Sequence, residues 1–104
     1  MYFALLYDYV PDYLERRQPL RQAHLDYAGR AYEEGKLILG GAFDRPPDGA
    51  LLVFRAGGRA DVEEFAKHDP YVVHGIVASW RVRDWTVVIG GGPEQKAKNP
   101  GMGK

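Results

Sequence analysis

The sequence contains no cysteine. This absence excludes disulfide bonds, thiolate metal ligands and cysteine nucleophiles. Long hydrophobic runs are also missing, because no apolar stretch approaches the roughly 20 residues that a helix needs to cross a bilayer. The opening residues 1–6 carry no basic segment of the kind that begins a signal peptide. We therefore expect no membrane association and a cytoplasmic location.

An excess of charge of one sign and a histidine cluster are missing as well. The chain has 14 basic and 14 acidic residues, so its formal net charge is zero, and no overall field attracts nucleic acid. The three histidines, His24, His68 and His74, lack the tight spacing of metal ligands. We expect no metal, no other cofactor and no nucleic-acid partner.

The composition is that of one small globular domain. Hydrophobic residues make up 45% of the chain and charged residues 27%, which is ordinary. A chain of this length buries only about two-thirds of its unfolded surface, so dimerisation would add stability. Residues 90–104 are rich in glycine, proline and lysine and have little to bury, so we expect a disordered tail. The predicted domain covers residues 1–89.

Hydrophobic patterning predicts four strands and two main helices. The first helix is predicted from Pro19 to about Glu34, with Gly35 as its C-terminal cap. Compact apolar runs predict strands over residues 2–9, 37–43, 50–55 and 76–89. The remaining segments are predicted as one helical turn over 12–17, a second helix over 60–68 and an irregular stretch over 71–75.

The order β-α-β-β-α-β is that of the ferredoxin-like α+β fold. Both helices then cover one face of a four-stranded sheet, and the other face needs a second layer. A homodimer whose sheets pack face to face is the obvious source of that layer.

The apolar residues of the last predicted strand change sides along its length. A slip of one residue moves every side chain to the opposite face. We therefore expect a bulge or bend near Asp84, or a second half that a partner subunit covers. The residues of the first parity are Ile76, Ala78, Trp80 and Val82, and those of the second are Trp85, Val87 and Ile89.

Asp69 and His24 are the strongest candidates for chemistry. Pro70 biases Asp69 away from helical backbone, so we expect a fixed loop carboxylate. His24 is the polar residue on the apolar stripe of the first helix. Each has a structural alternative: a core histidine that donates to a backbone carbonyl, and an aspartate that closes a turn through its own backbone. If the two side chains meet, the carboxylate holds the imidazole tautomer and raises its basicity, which suits proton transfer.

Three further residues are candidates for substrate binding. Arg21, one helical turn from His24, is placed to orient an anionic group, although such an arginine is more often solvated or paired. Gly41 belongs to a glycine pair inside the second strand, where a bulge or a close approach to the backbone is expected. Tyr71 is one of several tyrosines that either line an apolar pocket or pack in the core, the others being Tyr7, Tyr9 and Tyr27.

Four motifs in this order resemble the YciI-like (YCII-related) proteins over residues 1–88. They are Arg21-Gln22-Ala23-His24-Leu25, then Gly35-Lys36-Leu37 leading to Gly40-Gly41, then Asp69-Pro70-Tyr71 followed by Gly75, and Val82-Arg83-Asp84-Trp85. The resemblance implies a dimeric α/β barrel of ferredoxin-like subunits. It also implies a catalytic pair at His24 and Asp69. The sequence departs from the family pattern at Ala42, where many members have proline, and at Ala50, where many have serine.

Two functions remain open at this point. The first is a cofactor-free enzyme in which His24 abstracts or relays a proton on a small, cyclic or aromatic, oxygenated substrate. Isomerisation, elimination and hydrolysis all fit. The second is a non-catalytic dimer that binds a small ligand or serves regulation. An imidazole that is open to a pocket and within reach of Asp69 favours the first, and a sealed His24 bonded to backbone favours the second.

Overall fold

The computed structural model describes residues 1–90 of the chain. A 3-10 turn over Gln18–Leu20 precedes the longest helix. The elements in chain order are β1 (Tyr2–Tyr9), α1 (Tyr13–Arg16), α2 (Arg21–Glu33), β2 (Leu37–Ala42), β3 (Gly49–Arg55), α3 (Arg59–His68), α4 (Pro70–Val73) and β4 (Val77–Trp85).

The four strands form one sheet in the order β2-β3-β1-β4, and every neighbouring pair is antiparallel. β1 and β3 lie at the centre, although α2 and β2 separate them along the chain. This is the strand order of a ferredoxin-like fold, and the predicted α+β fold class is confirmed.

Alternate residues of β1 form the centre of the core. Phe3, Leu5 and Tyr7 are buried in one cluster with Val62 and Ala66 of α3. Burying an aliphatic or phenylalanine side chain contributes about 1.5–3 kcal/mol, so the strand and the helix stabilise each other. The same alternation fixes Tyr7 on the helix side of the sheet.

The other face of the sheet is partly exposed. Leu6 of β1 and its cross-strand partner Leu51 share this face and are half-buried. Leu39 of β2 is 62% exposed, and Trp85 at the end of β4 is 46% exposed. Apolar side chains on an uncovered sheet face are typical of a surface that a further layer packs against.

The first long helix begins later than predicted and ends as predicted. Pro19 lies in the 3-10 turn, and α2 begins at Arg21. Gly35 adopts a positive φ of 80°, and its N–H donates to the carbonyl of Tyr32. Glycine accepts this left-handed backbone readily, which is why it ends the helix.

The last strand is shorter than predicted. β4 covers Val77–Trp85 instead of residues 76–89. It ends at Trp85 because this residue pairs with Tyr2, the first residue of β1. Beyond that point the neighbouring strand offers no further backbone groups.

The bulge or bend expected near Asp84 is also wrong, and the alternative, a second half that a partner subunit covers, stays a prediction. The register shifts between Asp8 and Tyr9 of β1. On β4 the shift leaves Ala78 exposed and buries Val77. Ala78 therefore does not share the face of Trp80 and Val82, with which the sequence pattern grouped it.

Residues 71–75 are not wholly irregular, because α4 occupies Pro70–Val73. The Asp69 carboxylate accepts a hydrogen bond from the Tyr71 N–H, as an N-cap does. Pro70 takes the first helical position, where its missing N–H is harmless. The Asp-Pro pair thus ends one helix and begins the next.

The disorder expected of the C-terminal tail concerns residues outside the described range, apart from Gly90. Within residues 1–90, none of the helices has the length and apolar character that crossing a membrane requires.

Candidate active site

Asp69 lies at the junction of α3 and α4. Its φ of −64° and ψ of 128° are the extended backbone angles that a residue before proline prefers. Its Oδ1 accepts the Tyr71 N–H at 2.9 Å and also lies 2.9 Å from Nδ1 of His24. The turn-closing role and the contact with His24, which the sequence left as alternatives, therefore occur together.

The Asp69 carboxylate is completely buried and has three hydrogen-bond partners within residues 1–90. His24 Nδ1 and the Tyr71 N–H meet Oδ1, while the Tyr7 hydroxyl donates to Oδ2 at 2.7 Å. A buried carboxylate is unfavourable unless its oxygens are hydrogen-bonded. These three partners satisfy both oxygens and hold the carboxylate in one orientation.

The imidazole of His24 is held on two sides. Its side chain is 14% exposed, and its ring stacks on the Tyr71 ring with centroids 3.9 Å apart and an angle of 6°. Stacking fixes the plane of the ring, while the bond to Asp69 fixes its rotation. The orientation of the imidazole is therefore set before any ligand arrives.

The hydrogen-bond network assigns the histidine tautomer. Because an ionised carboxylate only accepts hydrogen bonds, we assign the hydrogen of the His24–Asp69 bond to Nδ1. In the neutral ring Nε2 then carries the lone pair. A proton added to Nε2 produces an imidazolium that the adjacent Asp69 stabilises, which is the arrangement of a general base.

A cavity of about 660 Å³ lies between α2 and β2, and His24 is part of its wall. This volume falls within the roughly 300–1,000 Å³ of small-molecule sites. The three predicted substrate-binding residues, Arg21, Gly41 and Tyr71, line the same cavity. The structure thus brings all the predicted site residues together, with Asp69 buried behind His24.

Gly41 lines the cavity, and the packing around it does not require a glycine. A Cβ at Gly41 would meet no atom within 4 Å, whereas one at Gly40 would approach the Leu52 side chain to 3.3 Å. The bulge expected from the glycine pair occurs just before it, between Leu37 and Leu39.

The Tyr71 hydroxyl is a buried polar group without a hydrogen-bond partner among residues 1–90. Burial raises the pKa of Tyr71, and the nearby guanidinium groups of Arg21 and Arg17 oppose that rise. Arg21 thus acts on the hydroxyl electrostatically, although no hydrogen bond of good geometry joins them. An unsatisfied hydroxyl in a cavity wall is available to a polar atom of a ligand.

Aromatic rings form one end of the cavity. Tyr9 and Tyr13 stack with centroids 3.7 Å apart, and both present an edge-to-face contact to Tyr71. Arg17 donates to the Tyr13 hydroxyl at 2.9 Å. Burial, followed by the neighbouring Tyr13, raises the pKa of Tyr9 well above its ordinary value. Tyr9 therefore remains neutral, and the aromatic rings give the cavity an apolar wall.

Tyr7 is the residue of the site that sequence reasoning missed. It appeared only as one of several tyrosines for a pocket or the core, and its contact with Asp69 spans 62 positions of sequence. Alternation within β1 predicts that Tyr7 faces inward, but no local signal identifies the partner of its hydroxyl.

His68 and a second cavity lie apart from this site. His68 is exposed and bonds to Glu64 within α3. Among residues 1–90, no group of three histidine, cysteine, aspartate or glutamate side chains is arranged to hold a metal ion. A larger cavity of about 740 Å³ between α2 and α3 includes His68 but neither His24 nor Asp69. We favour the smaller cavity because only there does a buried carboxylate hold a histidine.

The comparisons with known proteins agree with the fold. The solved structure of 5-chloro-2-hydroxyhydroquinone dehydrochlorinase (TftG) from Burkholderia phenoliruptrix AC1100, in complex with 2,5-dihydroxybenzoquinone, is similar with a TM-score of 0.72. It is 26% identical, over 83% of this chain and 94% of that chain.

An antibiotic biosynthesis monooxygenase shares the fold with a TM-score of 0.52 and 13% identity, over 84% of this chain and 100% of that chain. None of the curated proteins compared with the sequence matches it. The family model of the YCII-related domain matches residues 1–86, nearly the whole described part of the chain. The chain therefore belongs to the YCII-related domain family.

Proposed function

We propose that the protein is a cofactor-independent enzyme that transfers a proton on a small oxygenated ring, with His24 as the base. Nε2 takes the proton, and Asp69 holds the Nδ1–H tautomer and stabilises the imidazolium. The observation that carries the proposal is the 2.9 Å contact between His24 Nδ1 and a completely buried Asp69, at the wall of a cavity of ligand size.

Elimination is the reaction class that we favour. The similar protein TftG is named as a dehydrochlorinase of a chlorinated hydroxyhydroquinone. In an elimination of this kind the base removes a proton, and the electron pair of the broken bond moves into the ring. The leaving group then departs with its own bonding pair, so no electron acceptor is needed. A single base held in one tautomer is sufficient for this step.

The cavity wall supplies contacts for such a substrate. The Tyr71 hydroxyl, which has no other partner in the described chain, is placed to bond a ring oxygen. Arg21 contributes positive charge beside it, which favours an ionised oxygen. We assign Gly41 to the opposite wall, where the absence of a side chain leaves room for the ring.

The geometry supports the enzyme over a non-catalytic binding protein. A binding protein needs a cavity and polar contacts, but it does not need a histidine whose tautomer is fixed by a buried carboxylate. His24 bonds a side chain and lines the cavity, whereas the alternative expected a sealed ring bonded to backbone.

We also propose that the working form is a homodimer. The uncovered sheet face carries the exposed Leu39 and Trp85 beside the half-buried Leu6 and Leu51. A second copy of the same face would bury these residues and complete a two-sheet core.

A dehalogenation assay tests the proposed function. Wild type, His24→Ala and the control His68→Ala are compared with 5-chloro-2-hydroxyhydroquinone and related halogenated hydroxyhydroquinones, and the release of halide is measured. We expect release by wild type and the control, and a loss of about 10²–10⁴-fold in His24→Ala. Equal rates in His24→Ala and wild type, or no release by wild type from any of these rings, would contradict the proposal.

A further inference from the structure

Tyr7 holds the oxygen of Asp69 that His24 does not contact. Its ring lies in the core, 1% exposed, on the helix side of β1. Its hydroxyl donates to Oδ2 at 2.7 Å, while Oδ1 bonds His24 and the Tyr71 N–H. The three groups form a chain from Tyr7 through Asp69 to His24, and the chain ends at the cavity wall.

The direction of the Tyr7 bond has an electrostatic consequence. A hydroxyl that donates to a carboxylate turns the positive end of its dipole toward that carboxylate and toward the imidazole beyond it. This orientation opposes the addition of a proton to either member of the pair. The effect is strong here because the bond lies in the protein interior, where water screens it little.

Tyr7 is a permanent donor. Burial and then the negative charge of Asp69 raise the pKa of Tyr7 far above its ordinary value. The phenol therefore keeps its hydrogen throughout the range in which a histidine titrates, and the direction of the bond does not reverse.

We propose that Tyr7 is a positioning residue that limits the basicity of His24 through Asp69 and so keeps the imidazole free to accept a substrate proton at lower pH. The catalytic consequence rests on the proposed function, but the effect on His24 does not. Tyr7 does not line the cavity and acts through the carboxylate.

The other polar groups around the pair do not replace this hydroxyl. The Tyr27 hydroxyl donates a hydrogen bond to the carbonyl of Phe65 at 2.8 Å. Tyr9 and Tyr13 stack on each other. The positive groups are Arg21 of α2 and Arg17, which follows α1, and both act on Tyr71. Their charges remain in place when Tyr7 alone is changed.

A histidine titration followed by nitrogen-15 NMR tests the inference without a substrate. The full chain is used as wild type, as Tyr7→Phe and as the matched control Tyr27→Phe, which removes a different tyrosine hydrogen bond. His24→Gln identifies the His24 signal by its loss. We expect the midpoint of the His24 titration to rise by at least about half a pH unit in Tyr7→Phe, and the signals of His68 and His74 to titrate as in wild type.

A second substitution covers the case in which Tyr7→Phe fails to fold. A ring-difluorinated tyrosine at position 7 keeps the shape and donates more strongly, so the same midpoint should fall. A His24 midpoint that stays within about 0.2 unit of wild type, moves in the opposite direction, or moves equally in Tyr27→Phe overturns the inference. Absence of turnover with the expected midpoint shift would defeat only the proposed function, and turnover without the shift only this inference.

Discussion

At the residue scale, Asp69 serves the fold and the candidate site with the same two oxygens. Oδ1 caps α4 through the Tyr71 N–H and meets His24, and Oδ2 takes the Tyr7 hydroxyl. The sequence predicted the non-helical backbone conformation of Asp69, because Pro70 is adjacent and its steric effect is local. It did not predict Tyr7 as a partner, because contacts between distant residues depend on the whole topology.

The buried tyrosines make the free energy of unfolding vary with pH in the alkaline range. Burial, with Asp69 next, raises the pKa of Tyr27 from 10.0 to about 12, and the same two causes raise that of Tyr7 further. A raised folded pKa means that the folded state keeps its proton, so the contribution is complete below pH 10 and is lost as the pH rises above it. We predict that the free energy of unfolding falls between pH 10 and pH 12.

Urea unfolding at several pH values over this interval measures the effect. The decrease should be less steep in Tyr7→Phe, because that variant has lost one of the groups that releases its proton only on unfolding. A wild-type free energy that remains constant or increases from pH 10 to pH 12 would disprove the assignment.

At the scale of the elements, a glycine inside α2 and a glycine just after it have opposite effects on stability. Gly35 follows α2 and has a φ of +80°, a backbone angle at which any side chain is strained. Gly29 lies inside α2. A Cβ added at either position would meet no atom within 4 Å. We predict that Gly35→Ala lowers the free energy of unfolding by about 1 kcal/mol. Gly29→Ala should raise it by about 0.5–1 kcal/mol.

Chemical denaturation of the two variants side by side checks this prediction, since both add the same methyl group to open space. Destabilisation by both substitutions to the same extent would show that the backbone angle at Gly35 is not what decides the outcome.

The element boundaries show which parts of the fold are determined by local sequence patterns. The extent of β1, Tyr2–Tyr9, was predicted to the residue, because Pro11 follows a compact apolar run that only Asp8 interrupts. The end of β4 was not, because it is set by the point at which β1 begins. The start of α4 was visible in the sequence as Asp69-Pro70, but this pair was interpreted only as the end of the preceding helix.

At the scale of the whole molecule, the predicted order βαββαβ is the observed order, since alternation between strand and helix periods is readable along the chain. The cavity between α2 and β2 was not predictable, because its walls come from segments that only the topology brings together. The exposed apolar residues of the free sheet face agree with the expected need for a second layer.

The proposed homodimer gives a prediction at this scale. Trp85→Glu places a charge on the uncovered sheet face and should convert the dimer to a monomer, because a charge buried between two sheets is strongly unfavourable. Leu14→Glu is the control, since Leu14 lies on α1, outside the sheet, and is 48% exposed. Light scattering at micromolar concentration distinguishes the species. A monomeric wild type, or a dimer that survives Trp85→Glu, is incompatible with this surface as the interface.

The central claim is that His24 and Asp69 act as one functional unit, and a double-mutant cycle on turnover tests it most directly. Asp69→Asn should lower kcat/KM because the amide can donate to Nδ1, which favours the wrong tautomer, and cannot stabilise an imidazolium. We predict losses of about 10²–10⁴-fold for His24→Ala and for Asp69→Asn, and little further loss in the double variant, since members of one unit are not additive. Fully additive losses, or unchanged turnover in His24→Ala, would contradict the account.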